Sequence, residues 1–540
     1  MSIYTKSPHY KAIRLLIIAF VFLAHTILLT AVYKWFPFRG NDLLTNLAQP
    51  TFFVNSLKTG IFPAINPYLG YGLPLWLDPL NMVWNPLVFS TLYLLNTHTA
   101  IVAMYMLVLW TSGCTMYVVA RKAECRTPLA IAIALNYMST GYLCGAIYAG
   151  HLEKILVWPV MPVILLAIFK LANYRFLDLK KHGFTANTAI LAILITYVIF
   201  SSSYYALIGI LMVIAINILI TRRGGIIWSV LAACMISAPK LITNIIGMSF
   251  IERNYSPTLG APSISQLIES LFTFKYNFSL SSQGIGWWEY SGGVGLFYLI
   301  ILAVAFAYGI KYKLKPHNTL DICQTKARFS TAIIISWLGI VSTIVAFHYF
   351  PQFGGLFSKL RVPTRLYIIL IPLTYVWSTY LFSPKQFSKW ATLIILALCF
   401  NLANQYINVY EKNKDTYLDI IDMKAQIDVL DIVSKKKAGA KIIANSLFSN
   451  QLAAYEAINR RLVLINPSYA FYIGRNPWED YFAVEYKRSM YYSGQDPDFF
   501  ILPKKQIPPI IFNSEFIYSN DKYSVFAYTG LNTNYYSNEK

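Results

Sequence analysis

Residues 1–410 of the chain hold only nine carboxylates, so the groups able to accept a proton can be weighed one at a time. Asp42 stands first, in FPFRGNDLL, about six residues after the first long apolar run. A carboxylate close to a membrane exit is partly desolvated and rigidly supported, which suits a general base for a hydroxyl proton. The same residue also reads as an N-cap for a helix starting at Leu43. Asp78, in LDPLN, reads as a turn residue before Pro79 or as a second site acid.

The cations are equally few outside the basic loops. Arg361 and Arg365 lie in LRVPTR, where two guanidiniums on a Pro-fixed loop could clamp a phosphate or anchor at lipid headgroups. Lys240 follows Pro239 in the outer third of an apolar run. A charge at that depth is a functional hypothesis by default, with snorkelling to the interface as the alternative. His151, Glu153 and Lys154 form a compact polar cluster in GHLEK. One histidine there is too little for a metal, and no metal site is expected. Glu289, in GWWEYSGGVG, neighbours two tryptophans that suit either sugar stacking or an interface belt.

The elements that must position these residues are mostly membrane spans. Of the 540 residues, 56% are hydrophobic, 16% aromatic and only 13% charged. Roughly eleven apolar runs are long enough to cross ~30 Å of hydrocarbon. The first run is long and lacks a small-residue cleavage site, so it stays as an anchor. The formal charge of +21 is unevenly spread: residues 1–410 hold 29 Lys and Arg against 9 Asp and Glu, and residues 411–540 hold 16 against 15. Spans at about 14–36, 98–120, 127–148, 155–173, 187–221 (two), 226–247, 292–310, 329–349, 366–383 and 390–408 place 19 of those 29 cations on the cytoplasmic side. The positive-inside rule therefore accounts for the excess, and a nucleic-acid partner is not expected. The six cysteines show no CxxC spacing, so neither disulfides nor zinc are expected.

This topology puts the N-terminus in the cytoplasm and leaves outer loops at 37–97, 248–291 and 350–365. Pro and Gly are dense between Phe36 and Pro86, which argues against a long helix there, and Tyr68, Tyr71, Trp76 and Trp84 suit the bilayer interface. Residues 411–540 change character. Ile420, Met423, Ile427 and Leu430 mark one face of a helix, and strand-like runs follow at 441–446, 461–467 and 498–503, with a hairpin around Asn520–Asp521. The expected architecture is a polytopic α-helical membrane domain over 1–410 and a small extracytoplasmic α/β domain over 411–540.

Four stretches resemble the YfhO-like membrane proteins of the C-type (GT-C) glycosyltransferase superfamily. They are GND at 40–42 with FPAINPYLGYGLPLWLDPLN after it, AGHLEKILVWPVMPVILLAI at 149–168, EYSGGVGLF at 289–297 and LRVPTRL at 360–366. The outer C-terminal α/β domain matches that family's layout. The resemblance implies a bacterial inner-membrane enzyme that moves a sugar from a polyprenyl-phosphate carrier to an envelope glycan, lipid or protein outside the cytoplasm. It implies that Asp42 is the general base and that Arg361, Arg365, Lys154 or Lys240 stabilises the departing lipid phosphate. No DxD or ExD pair of the metal-dependent relatives stands in the outer loops, so metal-independent transfer without a cofactor is expected. Two other classes remain: a transporter or flippase of lipid-linked sugars, and a non-catalytic envelope assembly protein.

Overall fold

In a computed structural model, the described residues are 8–32, 41–66, 73–77, 81–171, 186–221, 224–249, 262–272, 292–295, 298–299, 303, 320–349, 362–382, 391–414, 418–444, 460, 463–464, 498–504, 512–521 and 523–531. Among them, five helices are long and apolar enough to cross a membrane, or six if one bent pair counts as a span. Three shorter apolar helices, Ala186–Phe200, Thr331–Ala346 and Ala391–Ile407, coincide with further expected spans. Of the expected span at 292–310, only 292–295, 298–299 and 303 are among the described residues.

The helices needed below are α1 (Pro8–Val32), α2 (Asn41–Lys58), α3 (Pro86–Leu94), α4 (Thr97–Lys122), α5 (Thr127–Met138), α6 (Gly141–Ala149), α7 (Leu152–Val157) and α8 (Met161–Leu171). They continue as α9 (Ala186–Phe200), α10 (Tyr204–Thr221), α11 (Ile227–Ile236), α12 (Ala238–Ser249), α13 (Ile264–Phe272), α14 (Leu320–Tyr349), α15 (Tyr367–Leu381), α16 (Ala391–Lys414) and α17 (Leu418–Lys436). The stretches Thr127–Ala149 and Leu152–Leu171 are enclosed by other helices, whereas Ala12–Ala31 turns most of its surface outward. Leu16, Ile17 and Phe20 on that outward face are exposed, as expected of residues whose solvent is lipid. The enclosed helices lie at the centre, and the candidate site is built at their ends.

Two sequence expectations give way here. The segment after α1 is not short of helix: α2 runs eighteen residues straight through Pro50. Proline removes one backbone donor, to the carbonyl of Asn46, but the helix is held from outside by burial of Leu43, Leu47, Ala48, Phe52, Phe53 and Val54. Tertiary packing thus outweighs a local penalty of about 3 kcal/mol. Likewise 226–247 is not one straight span, because α11 and α12 meet at a 74° bend. Pro239, in the first turn of α12, accounts for the join: proline can begin a helix but cannot continue the one before it.

Strand β1 (Ile65–Asn66) pairs antiparallel with β2 (Leu73–Pro74) in the first loop. The C-terminal sheet holds β3 (Lys441–Ala444), β4 (Val463–Leu464), β5 (Phe499–Pro503), β6 (Phe512–Ser519) and β7 (Tyr523–Leu531) in the order β4-β3-β5-β7-β6. β3 is parallel to β4 and β5, while β7 is antiparallel to β5 and β6. The β6–β7 turn forms at Asn520, whose side chain accepts from the Tyr523 N–H at 2.8 Å and donates to the Ala425 carbonyl of α17 at 2.8 Å. Among its described side chains the helix buries Val429, Leu430 and Val433; of the expected face, Leu430 is buried and Ile427 half-buried, and Ile420 and Met423 lie outside the described side chains.

Candidate functional site

The site begins with a break between two helices. α6 ends at Gly150, whose φ of 77° puts it in the left-handed region that glycine adopts without a Cβ penalty. The His151 N–H then donates to the Ala146 carbonyl at 2.9 Å, and the chain restarts as α7 one residue later. His151 and Lys154 therefore project from a helix junction in which every backbone turn is short. Asn46 donates to the Gly150 carbonyl at 3.5 Å, which brings α2 to this junction. Asp42 is the second residue of α2, one turn before Asn46. It therefore lies inside the first turn of that helix.

Lys154 is 4% exposed, a costly place for an ammonium. Its Nζ lies 2.6 Å from His151 Nδ1. A charged ammonium can only donate, so this pairing places Nδ1 as the acceptor. The same ammonium stands 5.7 Å from the centre of the Tyr142 ring, a cation–π contact in a dry setting. Glu153, between them in sequence, is half-buried.

Tyr142 gathers the remaining stretches. Its hydroxyl donates to the Arg365 carbonyl at 3.2 Å, and its backbone N–H donates to the Gly292 carbonyl at 3.3 Å. Gly141 donates to the Gly293 carbonyl at 3.2 Å. Gly292 and Gly293 in turn donate to the Ser270 carbonyl, and the Ser270 hydroxyl bonds that of Tyr367, next to the PTRL segment. Arg365 is half-buried, with its guanidinium carbon 5.5 Å from the centre of the Tyr205 ring. The Tyr205 hydroxyl also accepts from the Val362 N–H at 3.3 Å. Lys154, Gly292 and the 365–367 segment thus meet at Tyr142, while α2 reaches the other end of α6 through Asn46 and Gly150.

Lys240 belongs to a second node. It is fully buried, so the snorkelling alternative is overturned: its Nζ donates to the Asn81 carbonyl at 2.6 Å. Ser202 donates to the same oxygen at 3.0 Å, and the Asn81 side chain bridges the Leu75 carbonyl and the Val83 N–H. The bend between α11 and α12 is what turns Lys240 inward toward the first loop.

Asp78, Glu289 and Arg361 lie outside the described residues. Among the described residues, no group of three His, Cys, Asp or Glu side chains is arranged to share a metal ion. The sequence reading passed over Tyr142, Tyr205, Asn46 and Asn81. An aromatic seven residues ahead of Ala149 and another just after the Ser201–Ser203 turn look like ordinary core, and only their partners distinguish them.

No protein-family model and no curated protein matches the chain. Among solved structures, the single-particle cryo-EM structure of the arabinofuranosyltransferase AftD from mycobacteria is similar with a TM-score of 0.48 and 11% identity. The match covers 95% of this chain and 39% of that one, so the chain spans about two-fifths of its length.

Proposed function

We propose that the chain is a GT-C-type membrane glycosyltransferase that moves a sugar from a polyprenyl-phosphate carrier to an extracytoplasmic envelope acceptor. The observation that supports this reading is the meeting of the GHLEK, SGGVG and PTRL stretches at Tyr142, with Lys154 against its ring, the Arg365 backbone at its hydroxyl and α2, the helix of Asp42, tied to the same α6–α7 junction through Asn46 and Gly150. In the proposed reaction, an acceptor hydroxyl gives its proton to Asp42 as its oxygen attacks the anomeric carbon. The bond from that carbon to the lipid phosphate breaks, and the charge left on the phosphate is met by Lys154 and Arg365, with Arg361 as a further candidate. Inversion of this kind needs one base and a stabilised leaving group, and no metal is assigned a role. Residues 411–540 form the extracytoplasmic domain in this reading.

The test is Asp42→Asn in purified protein, assayed with a panel of polyprenyl-phosphate sugars and envelope extract as acceptor. Loss of a general base lowers turnover by about 10²–10⁴-fold. The expected result is that loss in a variant with unchanged melting in detergent; undiminished transfer would remove Asp42 from the role. A flippase is favoured by one observation, the bent α11–α12 pair with buried Lys240 beyond its break. Movement of lipid-linked sugar across vesicles without its consumption would select that reading.

A further inference from the structure

Away from the Tyr142 site, α2 ends in a rigid turn that points apolar side chains outward. The Ile61 N–H donates to the Ser56 carbonyl and the Gly60 N–H to the Leu57 carbonyl, both at 2.9 Å, with Gly60 at φ 79°. This is a Schellman closure, and it fixes the direction of the next two residues. Those residues are Ile61 and Phe62, 63% and 68% exposed. Phe62 is nevertheless held in place: its ring stacks on Trp76 at 5.4 Å with an interplanar angle of 11°.

The turn is coupled to the end of α3. Phe53 contacts both Phe62 and Phe89 edge-on or tilted, and Phe89 stacks on Tyr93. Lys58 donates to the Leu92 carbonyl at 3.2 Å and lies 5.5 Å from the centre of the Tyr93 ring. Beside it Tyr93 is 45% and Leu94 76% exposed. The apolar stretch that begins at Thr99, long enough to cross a membrane, follows Leu94 within a few residues.

We propose that Ile61, Phe62, Tyr93 and Leu94 form an interfacial docking surface for bilayer lipid at the headgroup–acyl boundary, with Lys58 set toward lipid phosphate. Three features select lipid as the occupant. The patch continues directly into a span; it combines aromatic and aliphatic tips with one adjacent cation, as an interfacial element does; and its rings are held in place by one another. Its consequence is mechanical, because an anchored α2 is held at a fixed depth along its whole length. The inference stands apart from the glycosyltransferase reading, since it is tested without activity.

The full chain would carry benzoylphenylalanine in place of Phe62, or in a second variant Leu94, and be reconstituted in phosphatidylethanolamine–phosphatidylglycerol vesicles. Irradiation is expected to attach lipid at both positions. A bimane label on Ile61→Cys should be quenched by brominated acyl chains and shielded from aqueous iodide. Crosslinks between two copies of the chain, absence of lipid adducts at both positions, or quenching by iodide alone would each overturn the proposal.

Discussion

The hydroxyl of Tyr142 donates to the backbone carbonyl of Arg365 at 3.2 Å, while the Lys154 ammonium faces the ring of the same tyrosine at 5.7 Å. One side chain therefore ties the Lys154 ammonium to the backbone of a segment more than two hundred residues away, whose own guanidinium faces Tyr205. The tyrosine is itself fixed, its ring stacked on Trp158 at 5.5 Å. In the proposed reaction such a fixed cation would meet the leaving group's charge without rearrangement.

Tyr142→Phe separates the two roles of that residue. The ring and its contacts with Lys154 and Trp158 remain, and one hydrogen bond is lost. A cost of about 1 kcal/mol is expected in detergent melting. Tyr142→Ala also removes the stacking and leaves a cavity, for which about 3–5 kcal/mol is the usual range. Equal losses in the two variants would show that the ring carries none of the packing.

Lys240→Met tests the second node. Methionine keeps much of the apolar stem and removes the ammonium, leaving the Asn81 carbonyl with the Ser202 hydroxyl that already reaches it. The expected loss is about 1–3 kcal/mol, the cost of disrupting a buried charged hydrogen bond. Lys240→Ala should cost more, because it adds a void beneath the bend. Melting curves of the two variants, compared with wild type, decide this.

Gly295 and Gly439 form a matched pair. Both have positive φ, 95° and 71°. Alanine in the left-handed region costs roughly 1–2 kcal/mol at either position. At Gly439 a Cβ meets open space, whereas at Gly295 it would run into the Asn401 amide, which donates to Asn136 and to the Val294 carbonyl. Gly295→Ala is therefore expected to destabilise clearly more than Gly439→Ala, by the loss of that buried network. Similar melting shifts for the two would refute the close approach.

Much of the architecture was legible because it follows from local rules. The Asn85 side chain caps α3 by accepting from the Leu87 and Val88 N–H groups, a local device that Asn before Pro commonly supplies. The Asn520 hairpin was visible in Asn520–Asp521. What stayed hidden depends on contacts between distant segments. The Pro and Gly density between Phe36 and Pro86 argued against a long helix because the burial that holds α2 through Pro50 comes from residues distant in sequence. The α11–α12 bend was smoothed away, since an apolar window averages over Ser237 and Pro239. GHLEK, SGGVG and LRVPTR were each recognisable as unusual, but nothing in their spacing announces Tyr142 as the residue on which they meet.

Cys125 supplies a test in pH. It lies between α4 and α5, outside the spanning stretches, is 1% exposed, and donates its thiol to the Thr379 carbonyl at 3.0 Å. Burial pushes its pKa up from 9.0 to about 12, against a smaller opposing pull from Arg121. The folded state thus holds the thiol proton more tightly than the unfolded state does. Stability from this group is present in full below about pH 9 and is lost as pH climbs toward 12, because only the unfolded chain gains by releasing the proton over that window. The difference in melting temperature between wild type and Cys125→Ala should accordingly shrink from pH 8 to pH 10.5. The same burial keeps the thiolate scarce at pH 8, so N-ethylmaleimide should leave Cys125 unmodified in the folded protein and label it after denaturation. Rapid labelling of the native chain at Cys125, or a melting difference independent of pH, would contradict the packing of this loop against α15.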